Sequence, residues 1–161
     1  MQLFIDKMNK ERASDILNWR YEAPYDFYNN EQTEEDLQEL LDGSYNAIVD
    51  EKQQVIGFFC LGQGAQVPAG NHVGAYTANC VDMGLGMHPH LTGQGNGLNF
   101  CSSIVQFIEK NYEGTPIRLT VAKFNQRAIH LYEKLGFVFE TEFKSDVAEF
   151  MVMIKNSPEQ S

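Results

Sequence analysis

The sequence predicts one α/β domain built on a mixed sheet, and three observations lead there. Runs that alternate apolar and polar residues interleave with runs whose apolar residues recur every three or four positions, in the order β-α-α-β-β-β-α-β-α-β-β. That order is too irregular for a doubly wound parallel sheet, in which strand and helix alternate strictly. The chain has 161 residues, 43% apolar and 12% aromatic, which suffices for one substantial core and is short for two full domains.

Residues 3–8 read as a short strand. Residues 9–20 read as a helix, with Ala13, Ile16, Leu17 and Trp19 forming its apolar stripe. Pro24 stops regular structure, and residues 21–30 form a connection rich in aromatics: Tyr21, Tyr25, Phe27 and Tyr28. Thr33 followed by Asp36 is an N-cap signal, Leu37, Leu40 and Leu41 are the buried edge of the helix it opens, and Gly43 ends that helix. Residues 45–50 and 55–61 are β-rich runs around a polar turn at 51–54, so they should pair as a hairpin.

Residues 62–74, with four glycines and Pro68, read as a mobile loop. Residues 80–87 form a strand with Val81, Met83, Leu85 and Met87 on one side. Cys80, Asp82, Gly84 and Gly86 take the other, which is nearly bare. From Gly93 a helical pattern runs through Leu98, Cys101, Ile104, Val105, Ile108 and Tyr112, ending near 111–114. Ile117, Leu119 and Val121 alternate as a strand, and 125–135 read as a helix closed by Gly136 in a left-handed cap. Strands at 137–144 and 149–155 follow. Residues 1–155 are thus expected to form a single domain and 156–161 a flexible tail.

The net charge is −10, from 22 acidic and 12 basic residues, so a protein that grips a nucleic-acid backbone is a poor reading. The excess is uneven: residues 1–53 hold 13 acidic and 5 basic side chains. No apolar stretch approaches the length of a membrane span, and the first residues lack a basic region followed by an apolar run. A soluble, cytoplasmic protein is expected. Cys60, Cys80 and Cys101 are too few and too widely spaced for a disulfide framework and read as buried thiols.

The sharpest local feature is Thr92-Gly93-Gln94-Gly95-Asn96-Gly97, between a strand and a helix. Without Cβ atoms, successive backbone N–H groups can approach an anion, and the helix macrodipole adds attraction. A tightly packed glycine turn with no ligand is the plainer alternative. A P-loop is excluded because Leu98-Asn99, not Lys followed by Ser or Thr, comes after the last glycine. A dinucleotide fingerprint is excluded by its G-x-G-x-x-G spacing and by Ala122-Lys123 where an acid should follow the next strand. A coenzyme A thioester is the remaining common ligand with a pyrophosphate.

The sequence resembles the GNAT superfamily of acetyl-CoA-dependent N-acetyltransferases. The loop is similar to that family's Arg/Gln-x-x-Gly-x-Gly/Ala motif. Residues 125–137, NQRAIHLYEKLGF, are similar to its second motif, Asn-x-x-Ala-x-x-Leu-Tyr-x-x-x-Gly-Phe. With the strand before the loop, the resemblance covers about residues 80–137. It implies a mostly antiparallel central sheet with a splayed strand before the glycine loop and helices on both faces. Thr92 departs from the pattern, standing where the family has Arg or Gln.

The resemblance implies the roles. Residues Thr92, Gly93, Gln94, Gly95, Asn96, Gly97 and Leu98 would hold the pyrophosphate, and the backbone of Leu85, Gly86 and Met87 the pantetheine arm and thioester carbonyl. Asn125 would bond the same arm, with an N-cap as its plainer role. Arg127 and Lys123 are candidate partners for the nucleotide phosphate, with solvated surface charge as the alternative. Tyr132 would protonate the leaving thiolate, with a core aromatic as the alternative. Leu131 and Leu135 belong to the core. Asp82 is the only acid on its strand and the candidate general base, with a structural carboxylate as the alternative; an amine arriving neutral needs no base. Tyr21, Tyr25 and Tyr28, beside the acids of residues 22–36, are candidate contacts for a cationic acceptor amine.

His88 and His90 flank Pro89 without a third ligand at suitable spacing, so no metal is expected. The reading is transfer of acetyl from acetyl-CoA to a small cationic amine or a peptide amine, with a second copy of the chain as a candidate partner. The alternative is a module that binds acyl-CoA without turnover.

Overall fold

Seven strands and five helices form from these runs in the computed structural model, which describes residues 2–157. The strands are β1 (Phe4–Lys7), β2 (Tyr45–Val49), β3 (Val55–Leu61), β4 (Val81–Met87), β5 (Ile117–Ala122), β6 (Val138–Lys144) and β7 (Glu149–Lys155). The helices are α1 (Lys10–Leu17), α2 (Glu34–Leu40), α3 (Pro68–Asn71), α4 (Gly97–Asn111) and α5 (Gln126–Lys134). The sheet is mixed and mostly antiparallel, in the order β1-β2-β3-β4-β5-β7-β6. The chain divides into two compact units, residues 1–60 with 85–97 and residues 61–84 with 98–161, so β4 begins in one and ends in the other.

In the first unit, β2 and β3 pair antiparallel as the expected hairpin, Tyr45 opposite Cys60, and β1 adds along β2 with Phe4 opposite Val49. Asn9 caps α1 by accepting from the Arg12 N–H, and Thr33 caps α2 by accepting from the Asp36 N–H. Ala13, Ile16, Leu17, Trp19 and Leu40 form the core of this unit, with Phe58 and Tyr45 packed against it. Helix α1 ends at Leu17 rather than continuing to residue 20, and Asn18, whose side chain donates back to the Ser14 carbonyl, closes it. Within residues 21–30 a 3-10 turn forms at Tyr25–Tyr28.

In the second unit, β4 and β5 run parallel for three pairs only, Val81 with Ile117 through Met83 with Leu119. Strand β5 pairs with β7 along its whole length, and β7 pairs with β6, whose register shifts between Phe139 and Thr141. Phe100, Cys101, Ile104, Val105 and Ile108 make the buried face of α4, matching the stripe read from the sequence. Burial pushes the Cys101 thiol up to about 12, so it is an inert core group.

Three expectations need correction. Residues 62–74 are not an irregular loop: a 3-10 turn forms at Gln63–Ala65 and α3 at Pro68–Asn71, with Gly70 buried. Helix α4 begins at Gly97 instead of Gly93, because Gly93 (φ 72°) and Gly95 (φ 84°) take left-handed backbone that a helix cannot hold. On α5 the most buried residues are Ile129 and Tyr132, while Leu131 and Leu135, assigned to the core, are half-buried. Of the expected tail, Asn156 and Ser157 are described and Ser157 is buried; residues 158–161 lie outside the described residues.

Candidate active site

The glycine loop is built by its own side chains. Thr92 donates through Oγ1 to the Pro89 carbonyl at 2.9 Å, Gln94 through Nε2 to the His90 carbonyl at 2.7 Å, and Asn96 through Nδ2 to the Leu91 carbonyl at 3.3 Å. These bonds tie the polar side chains back to the turn preceding the loop. A Cβ on Gly95 would meet nothing within 4 Å, so the space beside it is open. The loop leads directly into the first turn of the 15-residue α4, whose leading N–H groups have no helical acceptor. Thr92 has its hydroxyl committed to this local bond, a role different from that of a long cationic or amide side chain.

Strand β4 approaches the loop along Leu85, Gly86 and Met87, all half-buried. The Met87 carbonyl accepts a hydrogen bond from the Tyr21 hydroxyl at 2.7 Å, and the His88 N–H donates to the Ile56 carbonyl. The face of β4 that read as bare is not open at Gly86. A Cβ there would lie 2.5 Å from the Phe58 ring, so glycine is what lets Phe58 pack onto the strand.

Asp82 lies on the same side of β4 and is 5% exposed. Its Oδ1 accepts from Arg118 Nε at 2.6 Å, and its Oδ2 from Arg118 Nη2 and Gln66 Nε2, both at 2.8 Å. Arg118, 2% exposed, also donates to the Ala78 carbonyl and lies over the Tyr76 ring, 5.1 Å from its centroid. The hydrogen bond to Asp82 is the main reason the guanidinium pKa is raised. Both carboxylate oxygens are thus occupied, and this geometry supports the structural role for Asp82 over that of a base. Arg118 escaped the sequence reading, because nothing local marks its partner 36 residues earlier.

Asn125 caps α5: its Oδ1 accepts from the Ala128 N–H at 3.1 Å. Any bond it gives to a ligand would come from its Nδ2. Tyr132 is buried, with its ring 6.0 Å from that of Phe137, and Gly136 takes the left-handed conformation expected of it (φ 99°). Arg127 is exposed on the first turn of α5. Lys123 pairs with Glu142 at 2.5 Å, which raises its pKa and makes it a surface ion pair.

The model of the acetyltransferase (GNAT) family matches residues 11–137. The chain belongs to that family and is an acetyltransferase. Among solved structures, a chimera of the Vibrio cholerae spermidine N-acetyltransferase SpeG and hSSAT shares 20% identity over 99% of this chain and 98% of its own, with a TM-score of 0.75. The dodecameric spermidine N-acetyltransferase from Vibrio cholerae shares 18%, over 99% and 96%, at 0.68. Vibrio cholerae SpeG in complex with manganese ions also shares 18%, over 99% and 95%, at 0.68. At these identities the likeness is one of fold. No curated protein matches the chain.

In this acetyltransferase the three candidate acceptor tyrosines differ in their surroundings. Tyr21 is half-buried, its N–H bound by Asn29 Oδ1 and its hydroxyl by the Met87 carbonyl, and burial pushes its pKa up to about 12. It is a strut between the first helical connection and the end of β4. Tyr25 is half-buried and Tyr28 exposed, with Phe27 edge-on to Tyr28 at 5.2 Å.

The sequence reading also missed a cleft of about 870 Å³ in the first unit, lined by Trp19, His88, Glu11, Asp15 and Asp50 among others. His88 lies 5.1 Å from the Trp19 ring, and its Nδ1 accepts the His90 N–H. Among the described residues, no three His, Cys, Asp or Glu side chains are placed to hold a metal ion, and no helix is long and apolar enough to cross a membrane.

Proposed function

We propose that the protein transfers the acetyl group of acetyl-CoA to a primary amine, by direct attack and with no covalent enzyme intermediate. One observation carries the reading: an exposed loop with two left-handed glycines leads into α4, shortly after a strand whose register with its parallel neighbour spans three pairs. Glycine backbone can approach a pyrophosphate without a Cβ in the way, and the N-terminus of α4 supplies N–H groups and positive potential for its charge. Leu85, Gly86 and Met87 lie past the three residues of β4 that are in register with β5, and their backbone is the part of the strand proposed to meet the amides of the pantetheine arm. These residues therefore fit acetyl-CoA, which would supply the activated acetyl as a thioester.

The chain's own part is to bind, orient and move protons. The amine nitrogen forms a bond to the thioester carbonyl carbon, the C–S bond breaks, and the Tyr132 hydroxyl gives its proton to the departing sulfur. Both Asp82 oxygens already serve Arg118 and Gln66, so the proton that the amine loses passes to solvent, and Tyr132 takes one back from solvent before the next turnover. The 13 acidic residues among the first 53 favour an acceptor that carries additional positive charge. Spermidine is named as the substrate of the structurally similar enzymes, so polyamines are the first acceptors to test.

The test is thiol release from acetyl-CoA with polyamines, amino acids, aminoglycosides and basic peptides. Turnover with at least one small cationic amine is expected. Tight acetyl-CoA binding with no turnover on any amine would instead identify a non-catalytic acyl-CoA-binding module.

A further inference from the structure

The glycine loop alternates: Thr92, Gln94 and Asn96 stand between Gly93, Gly95 and Gly97. Each of the three polar side chains donates to one carbonyl of the 3-10 turn Pro89–Leu91, in order along the chain: Thr92 to Pro89, Gln94 to His90 and Asn96 to Leu91. The glycines have no side chain to commit, and theirs are the backbone N–H groups proposed to meet the pyrophosphate. The loop therefore takes its position from the turn.

The turn in its own right takes its position from His88. The Leu91 N–H donates to the His88 carbonyl at 2.9 Å, and the His90 N–H donates to His88 Nδ1 at 3.1 Å. His88 is fixed from two further sides. Its N–H donates to the Ile56 carbonyl on β3 at 2.8 Å, and its ring lies 5.1 Å from that of Trp19, which is buried in the core of the first unit. Strand β3, Trp19, His88, the turn and the loop all belong to that one unit.

One bond in this chain of support can be switched. Nδ1 accepts only while it is unprotonated, with the ring proton on Nε2; a second proton makes both nitrogens donors, and the His90 N–H then faces a donor. Glu11, Arg12 and Asp15 of α1 and Asp50 after β2 line the same cleft as His88, Arg12 being paired with Asp6, and the His90 ring lies 5.1 Å away. Burial first and His90 second lower the His88 pKa from 6.5, so the accepting form is the resident one at neutral pH.

We propose that His88 is the positioning residue of the glycine loop, and that its neutral ring, by capping the turn that carries all three loop side chains, makes the grip on acetyl-CoA weaken in mild acid. The inference rests on the acetyl-CoA reading above and deepens it by adding a regulation of that same site.

Two variants test it. His88→Leu keeps an apolar side chain against Trp19 and removes the acceptor. His88→Asn keeps an acceptor for the N–H two residues on and does not titrate. By calorimetric titration near about pH 7.5, His88→Leu should bind acetyl-CoA about fivefold more weakly, the effect of one hydrogen bond, and His88→Asn should match the wild type. As the pH falls to about 5, the ratio of the wild-type Kd to that of His88→Asn should rise about fivefold; taking the ratio cancels titration of the cofactor's own phosphate. In the ligand-free protein, the amide NMR shifts of Gly93, Gly95 and Gly97 should follow the titration of the His88 ring and stay fixed in His88→Asn.

Glycine shifts that titrate unchanged in His88→Asn belong to His90 and overturn the positioning role. Shifts that follow His88 beside a flat Kd ratio overturn the control of binding, and a ratio that falls in acid overturns it by showing the imidazolium attracting the anion. A wild-type protein that binds no acetyl-CoA overturns the cofactor reading and the control of binding with it, while the glycine shifts still decide whether His88 positions the loop.

Discussion

The Tyr21 hydroxyl donates to the Met87 carbonyl at 2.7 Å, across 66 residues of sequence. Burial raises its pKa to about 12, so the donor keeps its proton across the neutral range. The bond ends on the last residue of β4, two positions past the first of the three backbone groups proposed to meet the pantetheine arm. The Tyr21→Phe variant should lose about 1 kcal/mol of stability, because a half-buried carbonyl is left without its donor. It should also weaken acetyl-CoA binding. Denaturant unfolding and calorimetric titration read the two effects; a stability loss with unchanged affinity would confine Tyr21 to the scaffold.

Tyr132 makes a different kind of prediction, since its proposed role is chemical. Replacing it with Phe keeps the buried ring beside Phe137 and removes only the hydroxyl. General acid catalysis contributes roughly 100-fold to 10,000-fold, so kcat should fall by at least the lower figure while acetyl-CoA affinity is preserved. Steady-state kinetics check this, and undiminished turnover would remove Tyr132 from the chemistry.

Local signals were legible in the sequence, and pairings across the chain were not. The Thr33 cap, the Gly136 cap, the limits of β3 and the stripe on α4 each depend on residues a few positions apart, so propensity and period suffice. The two family motifs are similarly contiguous. Asp82 was visible as the only acid on its strand, yet its meaning depends on Arg118, which faces it only once β4 and β5 are in register. The bare face of β4 failed for the same reason: a glycine reads as empty space until Phe58 is placed against it. Residues 62–74 read as a loop because glycine and proline are local breakers, whereas burial of Gly70 against Tyr76 and Phe143 is a tertiary outcome.

The Asp82–Arg118 pair predicts an asymmetry between single and double substitution. Asp82→Asn leaves a buried guanidinium without its counter-charge and should cost about 3–5 kcal/mol, the usual loss when one partner of such a pair is removed. Asp82→Leu combined with Arg118→Met removes both charges and should recover most of that stability. Urea unfolding of the two variants decides the point. If Asp82→Asn were instead fully stable and lost only kcat, the carboxylate would have to be returned to the role of base.

His88 predicts a pH dependence. Its pKa is lowered, first by burial and second by the neighbouring His90, from an ordinary value of 6.5. The folded state thus binds its proton less readily than the unfolded chain. The stability it allows is complete above about 6.5 and declines as pH falls below that value, because the unfolded state is then the one that takes up the proton. Protonation at Nδ1 would also break the bond accepted from the His90 N–H, two residues before the glycine loop begins. His88→Asn should flatten the stability profile between pH 5 and 7. Thermal unfolding across that interval gives the comparison, and an unaltered profile would assign the titration to another group.

Gly86 offers the sharpest steric prediction. Its backbone is ordinary strand, so Gly86→Ala imposes no left-handed strain, but the new methyl would begin 2.5 Å from the Phe58 ring. Phe58 cannot simply swing aside, because its ring packs 6.1 Å from both Trp19 and Tyr45 in the core of the first unit. Either the ring is displaced into those neighbours or β4 moves outward. Overpacking of this kind costs about 1–3 kcal/mol. An outward shift would also move the Leu85 and Met87 backbone, raising KM for acetyl-CoA at nearly constant kcat. Phe58→Leu in the same chain removes the far edge of the ring and should restore both stability and KM, which separates a clash at this contact from a general intolerance of β4 to substitution.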